Sequence, residues 1–345
     1  MTSILEREIA QQPAVIQAFL ESEQENARRI ARELKNRFNY MVIAARGSSD
    51  NAARYAQYLF GVQHHLQVAL ATPSLFTMYD SPPDLANALV IGISQSGQSP
   101  DIVSVLKEGK TQGRPTLAIT NDESSPLAQA ADYILPLHTG PEKAVAATKT
   151  YTTSLAALAL LSCAMNGQSA NLDILLGAPK LMQETLDNLG PSMTHVERYR
   201  YIEQCAVIGR GLNYGTAFEV ALKIKELTYT VAEPYSSADF RHGPIATARR
   251  GFPVVLIIPK GSVYGDMHTL IGELHQRQAE LLIISDDPQA LDTAHLALPI
   301  PAGMPEWLTP LVAVLPGQRF ALQLTLERGL SPDQPEGLHK VTETL

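Results

Sequence analysis

The 345-residue chain has only two cysteines and one tryptophan. Cys163 and Cys205 stand in apolar surroundings without the spacing of a metal or redox motif, which favours two reduced core thiols in a cytosolic protein. The N-terminus shows no apolar signal segment, and the longest apolar run, near residues 154–165, is too short to span a bilayer. We therefore expect a cytoplasmic protein without a membrane anchor.

Positive charge is also scarce, with 27 Lys and Arg against 35 Asp and Glu, a formal net charge of −8. This balance argues against nucleic-acid or anionic-membrane partners, and no basic helix-turn-helix segment is apparent. A small anionic ligand would need a local site. The length suits about two domains, and a hydrophobic content of 45% is ordinary for a protein with a large core.

Hydroxyl groups are concentrated in the stretch Ile-Gly-Ile-Ser-Gln-Ser-Gly-Gln-Ser at residues 91–99. An apolar run before it predicts a buried strand, and Pro100 suits the first turn of a helix. A strand, a small-residue loop and a helix N-terminus together form an anion cradle, because free N–H groups and the helix dipole favour negative charge. The alternative is an ordinary serine-rich turn. Taken alone, this stretch supports both readings equally.

Short apolar runs alternate with helical segments, which predicts parallel sheets covered by helices on both faces. The second half repeats the first: Gly211 lies 164 residues after Gly47, and Gly261 lies 164 residues after Gly97. The hydroxyl-rich loop is replaced by Pro-Lys-Gly-Ser at residues 259–262 in the second copy. We therefore expect one phosphate site per chain.

The predicted organisation has five segments. They are a surface helical arm at 1–36, a phosphate-binding domain at 37–174, a linker helix at 175–198, a second domain at 199–330 and a C-terminal tail at 331–345. Pro13 is expected to open a second helical segment within the arm. A long helix is expected at about 144–165.

A helix predicted at residues 217–226 places Glu219, Lys223 and Glu226 on one stripe. An exposed salt-bridge face is the commoner interpretation of such a stripe. The repeat argues mildly against it, because the equivalent first-copy positions are mostly apolar, which indicates a covered face. Downstream, His242 lies in a polar turn of the sequence Arg-His-Gly-Pro, where a surface histidine is the ordinary expectation.

Together these motifs resemble the sugar isomerase (SIS) family, and within it the isomerase half of glucosamine-6-phosphate synthase and its stand-alone relatives. The resemblance runs from about residue 8 to the end. The motifs that carry it are Arg-Gly-Ser-Ser at 46–49, the loop at 93–99, Val-Ala-Ala-Thr-Lys-Thr-Tyr-Thr-Thr at 145–153, the helix at 217–226, Arg-His-Gly-Pro at 241–244 and the tail with Lys340. It implies an α/β fold of two tandem doubly wound, flavodoxin-like subdomains with an N-terminal helical arm and an irregular C-terminal tail.

The resemblance also implies roles for individual residues. Those that would bind the sugar phosphate or the sugar hydroxyls are Ser48, Ser49, Ser94, Gln95, Ser96 and Ser99. Glu226 would move a proton between C1 and C2, with Lys223 and Glu219 stabilising and orienting the open-chain intermediate. His242 would assist ring opening from a neighbouring subunit, which implies a homodimer, and Lys340 would meet the open-chain carbonyl. No metal or other cofactor is expected.

Three departures from the synthase pattern bear on the substrate. The glutaminase domain is absent from this sequence, Ala147 replaces a serine that contacts the sugar, and Arg46 replaces a small residue. We expect an amino-sugar phosphate isomerase/deaminase that converts glucosamine 6-phosphate into fructose 6-phosphate and ammonia. A deglycase acting on a fructosamine 6-phosphate such as fructoselysine 6-phosphate, or a non-catalytic phosphosugar-binding regulator, remains an alternative.

Overall fold

The computed structural model describes residues 2–167, 169–338 and 340. The strands are β1 Tyr40–Ala44, β2 Gln67–Leu70, β3 Ala88–Ser94, β4 Thr116–Thr120, β5 Tyr133–Pro136, β6 Gln204–Gly209, β7 Val231–Ser236, β8 Pro253–Ile257, β9 Glu280–Ser285 and β10 Leu296–Pro299. The helices are α1 Ile4–Leu34, α2 Ser48–His64, α3 Ser74–Thr77, α4 Pro100–Thr111, α5 Pro126–Ala130, α6 Lys149–Asn166, α7 Ser169–Leu176, α8 Ala178–Asn188, α9 Gly190–Met193, α10 Tyr214–Thr228, α11 Ser237–Arg241, α12 Tyr264–Gln276, α13 Pro288–Leu291 and α14 Thr309–Glu327.

The chain divides into two compact units, each built on one sheet. The first unit comprises Ala14–Glu142 and Lys149–Gly177, together with Lys340 of the described tail. The second unit comprises Met1–Pro13, Lys143–Thr148 and Ala178–Leu338.

Both sheets are parallel and share one strand order. The first sheet runs β2-β1-β3-β4-β5, and the second runs β7-β6-β8-β9-β10. The register repeats as well, since Tyr40 pairs with Gln67 in the first sheet and Gln204 pairs with Val231 in the second. This is the flavodoxin-like order, in which the first and third strands of a unit flank the switch point. The predicted fold class, two tandem doubly wound subdomains behind an N-terminal helix, is confirmed.

Each sheet has its own apolar core. In the first unit, Val90 and Ala118 of the sheet pack with Leu106 of α4 and Leu127 of α5. The core of the second unit is built in the same way around β8, β9 and α12. Cys163 and Cys205 are free and buried, as predicted. Among the described helices, none has the length and apolar character needed to cross a membrane.

The N-terminal arm is one continuous helix, so the prediction that Pro13 begins a second segment is wrong. Pro13 lies inside α1, where it removes a backbone hydrogen bond. Apolar side chains on both sides of it are fully buried, including Leu5, Ile9, Ile16 and Phe19. Each such burial stabilises by roughly 1.5–3 kcal/mol, which together exceeds the ~3 kcal/mol that an internal proline costs. The helix is therefore packed along one face and is more than a surface arm.

The helix expected from residue 144 begins instead at Lys149. Glu8 of α1 holds the preceding segment in a non-helical path, because its carboxylate accepts the N–H of Lys143 at 2.6 Å and that of Ala144 at 3.2 Å. These amides are thus satisfied by a side chain rather than by a helical turn. Hydrophobic periodicity in the sequence does not report such a long-range partner.

The region predicted as a linker helix is helical over most of its length, in α8 and α9. In the tail, Asp333 caps the start of α1, since its two carboxylate oxygens accept the N–H groups of Ile4 and Leu5, each at 2.9 Å. The part of the predicted tail at residues 339 and 341–345 lies outside the described residues.

Candidate active site

The serine loop, residues 94–99, leaves the carboxyl end of β3 at the switch point of the first unit. Ser94 is buried and accepts the N–H of Gly97 at 3.2 Å. Backbone bonds fix the loop to its neighbours, because Gln95 O accepts from Asn121 and Gly97 O accepts from Leu127, both at 3.1 Å. The loop is therefore held in one shape before any ligand binds.

Gly97 is required by this shape. Its φ of +63° lies in the left-handed region, and a Cβ there would collide with the side chain of Ser125. Ser99 is the N-cap residue of α4, yet its hydroxyl makes no capping bond to the helix. The hydroxyl at the helix N-terminus is therefore available for a ligand.

A buried carboxylate forms an ion pair directly after this loop. Asp101, in the first turn of α4, is fully buried and accepts the guanidinium of Arg46 at 2.8 and 2.9 Å. Arg46 follows β1, the strand next to β3, and its side chain is half exposed. This ion pair therefore places the positive charge of Arg46 beside the loop, because the carboxyl ends of adjacent parallel strands share an edge.

The predicted ligands of the first glycine turn lie at the same edge. Ser48 and Ser49 are the first two residues of α2, preceded by Gly47 with a φ of +54°. Both serines are half-buried. Within the first unit the structure thus brings all six predicted substrate-binding residues to the carboxyl edge of β1 and β3.

The second unit contains the predicted catalytic helix, α10. Its apolar stripe is fully buried, with Ala217, Val220, Ala221 and Ile224 at 0% exposure. The charged stripe is covered as well, because the Glu219 and Lys223 side chains are only 0% and 1% exposed. Charges buried to this extent do not form a solvated salt-bridge surface, so the commoner interpretation of these charges is excluded.

The three charged side chains form a contiguous group. Lys223 Nζ lies 2.6 Å from Glu226 Oε2 and 3.4 Å from Glu219 Oε1. Glu226 is the partly exposed member, at 24%. Burial would lower the pKa of Lys223, but the two carboxylates and their hydrogen bonds reverse this and raise the pKa above its usual value. Lys223 is therefore a fixed ammonium group behind an accessible carboxylate.

His242 lies at the end of α11 in the same unit and is exposed. Arg241 holds the turn, since its guanidinium bonds to Asp266 at 3.0 Å and to Glu273 at 3.1 Å. Among the residues that the structure describes, the His242 ring makes no hydrogen bond to the charged group of α10. The expectation that His242 acts across a subunit interface stays a prediction.

Lys340 of the tail has a specific partner in the first unit. Its ammonium lies 3.1 Å from Glu142 Oε2, and the Glu142 side chain is fully buried. The same carboxylate accepts the N–H and the hydroxyl of Thr150, at 3.1 and 2.8 Å. The sequence did not identify Glu142 as the partner of Lys340, nor Asp101 as the partner of Arg46. The repeat carried a signal for both, because acidic residues also stand at the equivalent places in the second copy, Glu306 and Asp266.

The protein is a tandem doubly wound α/β protein, because its two units share one strand order. The first unit has a serine loop at its switch point, and the second has a buried lysine between carboxylates. The family model described as the SIS domain matches residues 36–164 and 201–328. The chain belongs to the SIS domain family, as the resemblance of its motifs predicted.

Curated relatives and solved structures agree with this assignment. The chain is 33% identical over 345 aligned residues to glutamine–fructose-6-phosphate aminotransferase [isomerizing] of Pyrococcus horikoshii, covering 97% of this chain and 56% of the relative. It thus spans little more than half the length of that protein. The C-terminal domain of glucosamine-fructose-6-phosphate aminotransferase from Francisella tularensis is 25% identical, with a TM-score of 0.88 over 97% of this chain and 98% of that domain.

Glucosamine-6-phosphate deaminase from Thermotoga maritima has a TM-score of 0.80, with coverage of 99% of this chain and 100% of that one. Its identity to this chain is 22%, so the likeness is one of fold alone.

Proposed function

We propose that this protein is an amino-sugar phosphate isomerase/deaminase that converts glucosamine 6-phosphate and water into fructose 6-phosphate and ammonia. The observation that carries the proposal is the charged group of α10, in which the buried Lys223 ammonium supports the accessible Glu226 carboxylate. The substrate class is supported by the relatives, whose names specify fructose 6-phosphate.

In the proposed reaction, the open-chain sugar has an aldehyde at C1 and an amine at C2. Glu226 removes the C2 proton and returns it to C1, while the C1 oxygen takes up a proton and the amine gives one up, so that C1 becomes a CH2OH group and C2 an imine. A carboxylate suits this work because one base can reach two adjacent carbons. Water then adds to the imine and ammonia leaves, so atoms and charge balance.

The other residues have supporting roles in this proposal. Lys223 stabilises the negative charge that develops when the C2 proton leaves, and Glu219 keeps the Lys223 ammonium in place. The serine loop and Ser49 hold the phosphate and Ser48 contacts the sugar hydroxyls, so that binding energy far from the reacting carbons orients a flexible open chain. His242, from a second copy of the chain, assists ring opening, and Lys340 meets the carbonyl group.

The test compares wild type with Glu226→Gln, using ammonia release and fructose 6-phosphate formation from glucosamine 6-phosphate. We expect turnover to fall by about 10²–10⁴-fold, as for the loss of a general base. Glucosamine 6-phosphate should still raise the Tm of the variant, because the phosphate contacts remain. The exposed Glu203→Gln serves as the matched control and should keep full activity.

A panel of substrates separates this proposal from its alternatives. Wild-type protein that releases no ammonia from glucosamine 6-phosphate but cleaves a fructosamine 6-phosphate would be a deglycase using the same base. Protein that is stabilised by phosphosugars without turning over any of them, and whose Glu226→Gln variant behaves like wild type, would be a regulator. Either result contradicts the deaminase proposal.

A further inference from the structure

The second unit contains a loop equivalent to the serine loop, and a carboxylate of the chain lies in it. Glu306 Oε2 accepts the N–H of Ser262 at 2.7 Å. A Cβ on Gly261 would lie 2.5 Å from the Glu306 carboxylate carbon, so the carboxylate sits directly against this glycine. We propose that residues 259–262 form a second anion cradle whose built-in ligand is the Glu306 carboxylate.

The frame of the first cradle recurs around the second. Arg210 bonds to Asp266 at 2.9 Å, as Arg46 bonds to Asp101 in the first unit. Gly211, the counterpart of Gly47, also has a positive φ, +60° against +54°. The second loop has therefore kept the geometry of an anion site, although its serines have been replaced.

The Glu306 carboxylate lies near both glycines of this frame, Gly261 and Gly211. A Cβ on Gly211 would lie 3.8 Å from Glu306 Oε1, whereas a Cβ on Gly261 would lie 2.6 Å from Oε2. Two cations belong to the same part of the unit, since Lys260 of this loop bonds to Asp287 at 3.0 Å and Arg210, which follows the adjacent strand, bonds to Asp266. An oxyanion placed there would meet the Ser262 amide that now donates to the glutamate.

The first unit uses the corresponding residues differently. The amide equivalent to that of Ser262 belongs to Gln98, and it donates to the Ser96 hydroxyl at 3.3 Å. The acidic residue 164 positions before Glu306 is Glu142, which is bonded to Thr150 and Lys340. Glu306 thus fills the cradle of its own unit, while its counterpart Glu142 binds Lys340 of the tail.

This explains why the chain should bind a single phosphate group, and it makes the second cradle a latent site for a tetrahedral oxyanion. The comparison with a phosphate-binding first cradle rests on the proposed function, but the filling of the second cradle by Glu306 does not. The two ideas can therefore fail separately.

The experiment is equilibrium dialysis of the full chain against radiolabelled inorganic phosphate. We expect one phosphate per chain for wild type and two for Glu306→Ala. The exposed Glu197→Ala removes the same charge elsewhere in the second unit and should bind one, which controls for a general gain in anion affinity. A folded Glu306→Ala protein that binds no more phosphate than wild type would overturn the proposal, as would a wild type that already binds two.

Two further variants keep the test decisive if Glu306→Ala unfolds. Glu306→Gln keeps the size of the side chain but removes its charge, and it should bind a second phosphate more weakly than Glu306→Ala. Adding Gly261→Ala to either variant places a methyl group in the vacated space and should return the stoichiometry to one. Wild type that binds no phosphate while Glu306→Ala binds one would contradict the serine loop as phosphate anchor but support the filled second cradle.

Discussion

Lys223 and Glu226 lie one helical turn apart on α10, with the lysine ammonium 2.6 Å from the Glu226 carboxylate. Their exposures differ sharply, since the lysine is 1% exposed and the glutamate 24%. A buried ion pair contributes little net stability, because desolvation offsets most of the attraction. An arrangement that buries the cation and leaves the carboxylate accessible is the one that the proposed proton transfer by Glu226 requires.

The first prediction concerns the stability of this group. Lys223→Met should lower the free energy of unfolding by about 3–5 kcal/mol, because it leaves the buried Glu219 carboxylate without its counter-charge. Urea denaturation followed by circular dichroism measures the change. Lys225→Met, on the exposed side of the same helix, should change stability by no more than ~0.5 kcal/mol.

A double variant distinguishes the charge from the packing. Glu219→Gln combined with Lys223→Met should recover much of the lost stability, since no buried charge is then uncompensated, while activity stays low. Equal losses in the single and double variants would show that the packing of the lysine stem, and not the ion pair, dominates.

The second prediction concerns the shape of the serine loop. Gly97→Ala should weaken binding of phosphorylated ligands, because the new methyl group collides with Ser125 and displaces the loop. The residue must also adopt a left-handed conformation, which costs about 1–2 kcal/mol. Gly113→Ala isolates this second effect, since Gly113 has a φ of +69° with nothing within 4 Å of its Cβ position. Equal phosphate affinity in the two variants would show that the close contact with Ser125 does not matter.

Local features of the sequence were sufficient to locate the serine loop and α10. A buried strand that ends in small residues has a recognisable pattern, and the 3.6-residue period placed Glu219, Lys223 and Glu226 on one stripe. The repeat offset then predicted two sheets of the same topology. These inferences need only neighbouring residues or two similar segments of one chain.

Partners that are distant in sequence could not be found in this way. Glu142 and Lys340 are 198 positions apart, and Arg46 and Asp101 are 55 apart. Such contacts depend on how the chain folds back, which periodicity does not encode. The same limitation explains the errors at Pro13 and at the start of α6, where Glu8 and buried apolar side chains outweigh local preferences.

The third prediction concerns the pH dependence of stability. Burial lowers the pKa of His64 below its usual value, only partly opposed by its contact with Ser162. The folded state therefore disfavours the charged ring, whereas the unfolded chain takes up a proton there at about pH 6.5. The contribution of neutral His64 to the free energy of unfolding is complete above that pH and is lost as the pH falls below it. Unfolding free energies measured between pH 7.5 and pH 5.5 should fall by up to ~1.4 kcal/mol per pH unit from this residue.

His64→Gln should remove that part of the slope, and the exposed His195→Gln controls for the loss of an imidazole. If wild type and His64→Gln show the same slope in this range, burial of His64 does not govern the acid sensitivity of the fold.

The last prediction concerns Glu142 and Lys340, whose charged groups lie 3.1 Å apart. If Lys340 acts on the substrate carbonyl, Glu142 is the positioning residue that holds it in reach. Glu142→Gln and Lys340→Met should then each lower kcat more than they raise KM, since the phosphate contacts are untouched. The kcat of the double variant should be no lower than that of the poorer single variant. The effects of the two substitutions on the activation free energy should then differ from additivity by about 0.5–3 kcal/mol.

Thr150→Val provides the matched control for this pair. It removes the hydroxyl that donates to the same Glu142 oxygen, at 2.8 Å, without touching the ammonium. We expect it to cost stability, because the hydroxyl bond to a buried carboxylate is lost, but to leave kcat within a few-fold of wild type. Strictly additive losses in kcat for Glu142→Gln and Lys340→Met would mean that the ion pair holds the tail for structural reasons alone.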